Sequence, residues 1–224
     1  MQRIVVFTGA GISAESGLGT FRDVGGLWEQ YKIEDVATPE AFERNPELVL
    51  DFYNLRRKQL LKSEPNAAHI ALNQLSRKYH LNIITQNIDD LHERSGSKDV
   101  LYLHGKLKEA KSSLDDSLIY PIKGAELKIG DMCEKGSQLR PNVVWFGESV
   151  PKMIDAITLV KLADIFLVIG TSLNVYPAAS LIDYTENTKR IILIDPKAKH
   201  HNEIEIIKKK ASLAIPKLVE KLLA

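Results

Sequence analysis

Gly9-Ala10-Gly11-Ile12-Ser13-Ala14-Glu15-Ser16-Gly17-Leu18-Gly19-Thr20-Phe21-Arg22-Asp23 directly follows Ile4-Val5-Val6-Phe7, and this junction decides how the chain is read. The β-branched and aromatic run has the composition of a buried strand, and it leads straight into glycines. Glycines at such a junction let backbone N–H groups approach a phosphate, because no Cβ intervenes and φ can turn positive. The pattern points to a nucleotide site. Its match to a dinucleotide fingerprint is partial. Gly9-x-Gly11 is present, but the third glycine of G-x-G-x-x-G would fall at Ala14, and no acidic residue about 20 positions on stands at the end of a second strand. On this stretch alone, a glycine-rich turn with no ligand remains open.

Length and composition bound the remaining possibilities. The 224 residues suffice for one domain with a large core, or one domain with a small insertion. With 30 basic and 29 acidic residues the net charge is +1, which offers no global field to attract nucleic acid or an anionic membrane. The single cysteine, Cys133, excludes an internal disulfide and fits a reducing compartment. No signal-peptide pattern and no long apolar run is visible, so a soluble, cytoplasmic protein acting as a monomer is expected.

Further along, strand-like runs alternate with helical patterns, which predicts an α/β fold with a mostly parallel sheet. Leu48, Val49, Phe52, Leu55 and Leu60 recur at helical steps from Pro46, and Pro65 ends the run. Tyr53 and Arg56 lie three apart on that helix and share a face, where a guanidinium and a phenol could together hold a carboxylate. The neighbouring Arg57 is a competing candidate. A second helix is predicted over 66–79, with Ala67, Ile70, Ala71, Leu72 and Leu75 facing inward and His69 packed or capping. Gln86-Asn87-Ile88-Asp89 follows the strand-like Leu81–Thr85, at the end where a parallel sheet places its ligand. Its amides and carboxylate suit a carboxamide and ribose hydroxyls, although Asp89 or Asp90 could equally cap a following helix. His104 ends Val100-Leu101-Tyr102-Leu103, and an imidazole there could accept a proton at neutral pH. Val143 to Phe146 reads as an extended run able to pair with a peptide backbone, and Trp145 or Phe146 could instead be core aromatics. Gly170-Thr171-Ser172 ends another strand in a glycine and two hydroxyls, suited to ribose or phosphate.

These blocks together, GAGISAESGLGTFRD (9–23), GGLWEQY and ATPEAF between Gly25 and Phe42, TQNIDDLHERSG (85–96), LHG (103–105), LRPNVVWFGE (139–148) and GTSLNVYPAA (170–179), resemble the sirtuins, the NAD-dependent protein deacylases. The resemblance implies one Rossmann-like catalytic domain over 1–224, with a small lobe formed by about 26–66 and 105–139. It implies NAD as a consumed co-substrate, held by Gly9, Ala10, Gly11, Ile12, Ser13, Phe21, Arg22, Trp28, Gln86, Asn87, Ile88, Asp89, Gly170, Thr171, Ser172, Asp195 and Ala211. His104 would be the general base acting on the cofactor ribose, and Val144 and Phe146 would border the channel for an acyl-lysine protein or peptide. Tyr53-x-x-Arg56, with Ala37 leaving room for a longer acyl group, resembles the subgroup that removes succinyl and malonyl groups. Products would be free lysine, nicotinamide and O-acyl-ADP-ribose. Alternatives left open are mainly deacetylation, ADP-ribosyl transfer, or a non-catalytic NAD or ADP-ribose sensor.

The sequence departs from that family in two places. Asp195 stands where sirtuins usually have asparagine. Over 105–138 the two Cys-x-x-Cys pairs of a structural zinc are missing, leaving only Cys133 and no histidine, so no zinc is expected. The lobe is then expected to be held by burial of Leu107, Leu114, Leu118, Ile119, Tyr120, Ile122, Leu127 and Ile129.

Overall fold

The computed structural model describes residues 1–19, 30–171, 173–199 and 204–224. Within them the strands are β1 (Arg3–Thr8), β2 (His80–Thr85), β3 (Val100–Tyr102), β4 (Gly105–Ser112), β5 (Ile119–Pro121), β6 (Leu139–Val143), β7 (Ile165–Ile169), β8 (Arg190–Ile194) and β9 (Glu205–Ile207). The α-helices are α1 (Ile33–Val36), α2 (Pro39–Arg44), α3 (Pro46–Leu60), α4 (Ala67–Gln74), α5 (Leu91–Arg94), α6 (Met153–Lys161) and α7 (Ala211–Leu223).

The apolar runs form one parallel sheet in the order β3-β2-β1-β7-β8-β9. Parallel strands need both faces covered, and alternate residues of β1 supply both. Ile4 and Val6 pack with Leu72, Leu75, Ile215 and Leu218 of the α4/α7 layer and the turn after α4. Val5 and Phe7 pack the other way, with Phe166, Ala156, Val160 and Leu181. The rings of Phe7 and Phe166 lie nearly parallel, 6.4 Å apart. The strand order reverses at the β1–β7 pair, so the loops leaving the carboxyl ends of these two strands flank a crevice.

The helix predicted over 66–79 is shorter than expected. It is α-helical over Ala67–Gln74 and tightens to a 3₁₀ turn at Leu75–Arg77. Asn66 caps it in a reciprocal box with His69, and this sets the buried stripe to Ala68, His69, Ala71 and Leu72. Ala67 and Ile70, expected inside, are therefore exposed.

A separate antiparallel sheet, β5-β4-β6, packs with α1, α2 and α3 around Ala37, Phe52, Tyr53, Leu107, Val143 and Trp145. Among the described residues no three His, Cys, Asp or Glu side chains gather as a metal-ligand group. The expected packing of this lobe needs correction. Leu107 and Leu127 are buried, with Ala110 and Leu50 beside them, but Leu114 is 72% exposed, and Ile119 and Ile129 also lie on the surface. Hydrogen bonds do the remaining work. The Ser112 hydroxyl accepts from the amides of Leu114 (3.0 Å) and Asp115 (3.1 Å) and meets the Ser137 hydroxyl at 2.8 Å, which in turn lies 3.1 Å from Cys133 Sγ. Asn54 and Arg57 of α3 bind backbone groups on the lobe's other side.

Candidate active site

At the crevice, the loop after β1 crosses the loop after β7 with backbone against backbone. The Gly11 amide donates to the Gly170 carbonyl at 2.8 Å, and the Gly9 amide to the Ile169 carbonyl at 3.0 Å. A Cβ on Gly11 would stand 2.7 Å from the Gly170 Cα, and one on Gly9 2.8 Å from the Gly170 carbonyl oxygen. The amides of Ile12 and Ser13 are spent inside the same turn, on the carbonyls of Gly9 and Ala10. The first use of these glycines is thus the crossing itself. Within 9–13, the Ala10 amide is the one with no acceptor among the described residues, and it is placed to meet an anion.

A buried polar network ties this loop to the one after β2. Ser13 Oγ donates to Asp89 Oδ2 at 3.0 Å, and Asn87 Nδ2 donates to the Gly9 carbonyl (3.2 Å) and to Ser13 Oγ (3.1 Å). Asp89 Oδ1 accepts from the Leu91 amide at 3.1 Å, so this carboxylate, one residue before the Asp90 N-cap, also satisfies the first amide of α5. Burial pushes the Asp89 carboxyl upward, while those two donors and the Arg56 charge pull it back. Gln86 Nε2 reaches Thr171 Oγ1 at 3.2 Å across the crevice, and Ile88 is buried against Tyr53 and Trp145.

His104 stands between β3 and β4, with Nδ1 3.0 Å from the Gln86 carbonyl oxygen. A carbonyl only accepts, so Nδ1 carries the hydrogen and Nε2 keeps the lone pair. Burial lowers the His104 pKa and the bond to Gln86 opposes it, which leaves the ring neutral near pH 7. Gly105 follows at φ +79°, where an added Cβ would strike the Asn142 carbonyl.

The acyl side is built from α3 and the segment after β6. Tyr53 is buried, its hydroxyl accepts from Trp145 Nε1 at 3.0 Å, and burial pushes its pKa up to about 12. Arg56 is half-buried, with its guanidinium 6.0 Å from the Phe52 ring centre. Burial lowers its pKa, and Tyr53 and Asp89 raise it. Arg57, the rival arginine, is 1% exposed and bound to the small lobe. Ala37 packs in the cluster with Tyr53, Ile88 and Trp145. Of the two aromatics after β6, Trp145 is the core residue, stacked on Arg140 with Cζ 3.4 Å from the ring centre, and Phe146 is exposed. The strand itself stops at Val143. The amides of Val144, Trp145 and Phe146 donate to His104, Glu148 and Ala37, so a peptide pairing here has to donate to their carbonyls.

The Sir2 family model matches residues 9–177. The chain belongs to the Sir2 family. The NAD-dependent protein deacylase of Bacteroides thetaiotaomicron is 48% identical over 231 residues, covering 100% of this chain and 99% of that protein. The solved complex of a Sir2 homologue with NAD matches at a TM-score of 0.89 and 39% identity, over 99% of this chain and 89% of that one. A Sir2 structure holding a deacetylated p53 peptide and 3'-O-acetyl-ADP-ribose matches at 0.82 and 30% identity, over 98% and 93%.

In this Sir2 protein the other predicted site residues that are described adjoin the same crevice loops. Thr171 Oγ1 accepts from both Gln86 and the Leu173 amide. Asp195 turns its carboxylate onto the Lys197 amide at 2.7 Å, closing its own turn at the end of β8. Ala211 is buried at the first turn of α7, beside Ser212, which binds Glu15 of the glycine loop. Phe21, Arg22, Trp28 and Ser172 lie outside the described residues.

Sequence reasoning missed the layer beneath the site. Thr8 Oγ1 donates to Thr85 Oγ1 at 2.8 Å and lies 3.0 Å from His92 Nε2, while Thr85 Oγ1 accepts from the Asn87 amide. His92 sits edge-on to His69, with ring centres 4.9 Å apart and both fully buried. The available signal was two histidines on short helices flanking the 85–89 block. Burial lowers the pKa of His69 to about 4 and that of His92 to about 3, with His69 adding to the latter. Both are neutral in the fold at pH 7. As pH drops below the free value near 6.5, the unfolded chain takes up protons that the native state refuses, so stability falls. Urea unfolding at pH 7 and pH 5 is expected to show a loss of about 1–2 kcal/mol per histidine. A flat profile would mean that the pair is protonated inside the fold.

Proposed function

We propose that this chain is an NAD-dependent protein-lysine deacylase that prefers acyl groups ending in a carboxylate, succinyl or malonyl, over acetyl. Family membership supports the reaction class. The preference is supported by the placing of the two adjacent arginines on α3: Arg57 binds lobe carbonyls, whereas Arg56 is half-buried, three residues from the buried Tyr53 on the same helix, and its charge acts on Tyr53 and Asp89. A guanidinium backed by a phenol suits a carboxylate, and the small Ala37 leaves length for it.

The residues present fit NAD. Asp89, Ser13 and Asn87 combine acceptors and donors in a buried cluster, as a carboxamide requires, and the Ala10 amide can face a phosphate. Bound there, NAD would supply an electrophilic ribose carbon for the acyl oxygen of the modified lysine. His104 takes a proton from a ribose hydroxyl through Nε2, with Nδ1–H held by Gln86. Gln86 and Thr171 join the two sides of the crevice. With one water consumed, nicotinamide, free lysine and O-acyl-ADP-ribose are the products.

Kinetics on matched succinyl- and acetyl-lysine peptides test the preference. Arg56→Ala is expected to cost desuccinylation about 1.5–3 kcal/mol of kcat/KM, as for a charged hydrogen bond, and deacetylation far less. Equal losses on both peptides would assign Arg56 a structural role and leave deacetylation as the main activity.

A further inference from the structure

We propose that Arg57, with Asn54, is a positioning residue for acyl selectivity, mounting α3 on the small lobe so that Tyr53 and Arg56 stand at a fixed place relative to the 86–89 loop. This rests on the carboxylate-selective reading of Tyr53 and Arg56.

The helix period puts two polar pairs on neighbouring stripes of α3, Tyr53 with Arg56 and Asn54 with Arg57. The second pair points into the protein. Arg57 Nε donates to the Ala125 carbonyl at 2.9 Å, Nη1 to the Leu107 carbonyl at 3.2 Å, and Nη2 to Asn54 Oδ1. Asn54 then closes a two-way pair with Leu127: its Nδ2 donates to that carbonyl at 3.1 Å, and the Leu127 amide donates back to Oδ1 at 2.9 Å. Leu107 continues the connection, since its amide donates to the Ile88 carbonyl at 2.8 Å. Consecutive bonds therefore run from α3 through β4 to the loop proposed to hold the nicotinamide end of the cofactor.

The cost of this arrangement argues that it does more than fill space. Arg57 is a buried cation with no carboxylate bonded to it among the described residues, neutralised only by carbonyl dipoles and one amide. An apolar side chain of similar volume would pack there without that desolvation penalty. Burial lowers its pKa to about 10, so it stays charged at neutral pH. Fixed geometry is what the charge supplies. Two guanidinium donors of Arg57 and the two-way Asn54–Leu127 pair hold the helix in rotation and in translation, the third donor tying Arg57 to Asn54 within the helix, and a shift of α3 would move the Tyr53 and Arg56 head groups together. A succinyl carboxylate depends on both heads and feels that shift, whereas an acetyl group reaches neither.

The experiment measures steady-state kinetics with NAD and matched succinyl- and acetyl-lysine peptides, alongside thermal unfolding, for wild type, Arg57→Met, Arg57→Lys, Asn54→Ala and Arg56→Ala. Arg57→Met is expected to lower the succinyl-to-acetyl ratio of kcat/KM about tenfold, chiefly through KM of the succinyl peptide. Arg57→Lys should recover part of the ratio, because it keeps a charge and donors at the same carbonyls. Asn54→Ala should move the ratio the same way by less, and it decides the matter if Arg57→Met fails to fold. Equal falls on both peptides together with a lower unfolding midpoint would make the pair purely structural and overturn the proposal. A ratio unchanged in Arg57→Met and Asn54→Ala but lost in Arg56→Ala would sink positioning alone. A ratio unchanged in Arg56→Ala as well would remove the selectivity reading and this inference with it.

Discussion

Replacing His104 with alanine is expected to reduce kcat for deacylation by about 10²–10⁴-fold, the range for removing a positioned general base. The bond from Nδ1 to the Gln86 carbonyl fixes which nitrogen is basic, and among the described residues no other imidazole stands at the crevice. His69 and His92, which belong to the same half of the chain, are buried and neutral under the sheet. Exchange of labelled nicotinamide into NAD should survive better than turnover, because proton removal by His104 follows nicotinamide departure. The wild-type pH profile gives a second readout. Burial lowers the pKa of this ring, and in the proposed mechanism the neutral form is the active one, so kcat/KM should stay level down past about 6.5 and fall only below it. A variant with near-normal kcat would remove His104 from the mechanism.

Gly170→Ala is expected to destabilise the protein by about 3–5 kcal/mol, measured by chemical denaturation. Two costs combine at this position. The backbone sits at φ +61°, which a side chain tolerates poorly, and a Cβ would fall 2.6 Å from the Gly11 carbonyl carbon and collide with the Ile12 nitrogen. Gly17→Ala separates them, since Gly17 also has a positive φ, +86°, but nothing within 4 Å of an added Cβ. It should cost only about 1 kcal/mol. If the two alanine variants were equally stable, the tight crossing of the loops would not be a feature of the folded protein.

The sheet was legible from sequence because its strands are β-branched runs with glycine or polar punctuation at their ends. β9 escaped because Glu205-Ile206-Ile207 is too short to show a period. The small lobe was misjudged for a physical reason: leucines and isoleucines were counted as interior, but a lobe this thin has little interior, and serine hydroxyls and an α3 guanidinium close it instead. Helical spacing could not choose between Arg56 and Arg57, which lie three and four residues from Tyr53 and so are both within reach of its face. Only coordinates show that Arg57 is the one bonded to the carbonyls of Leu107 and Ala125. His104 was found through its motif, yet its tautomer depends on a carbonyl 18 positions earlier in the chain. The glycine loop was read as a phosphate cradle, but within 9–13 the amides of Gly9, Gly11, Ile12 and Ser13 serve the protein.

The contact at the base of the crevice involves main chain on both sides, with Gly9 and Gly11 on one loop and Gly170 on the other. Such a joint makes few demands on surrounding side chains, the Asn87 amide on the Gly9 carbonyl being one of them. Other residues lining the crevice are then at liberty to diverge toward new acyl groups or new protein targets, while three positions without side chains keep the loops after β1 and β7 closely crossed.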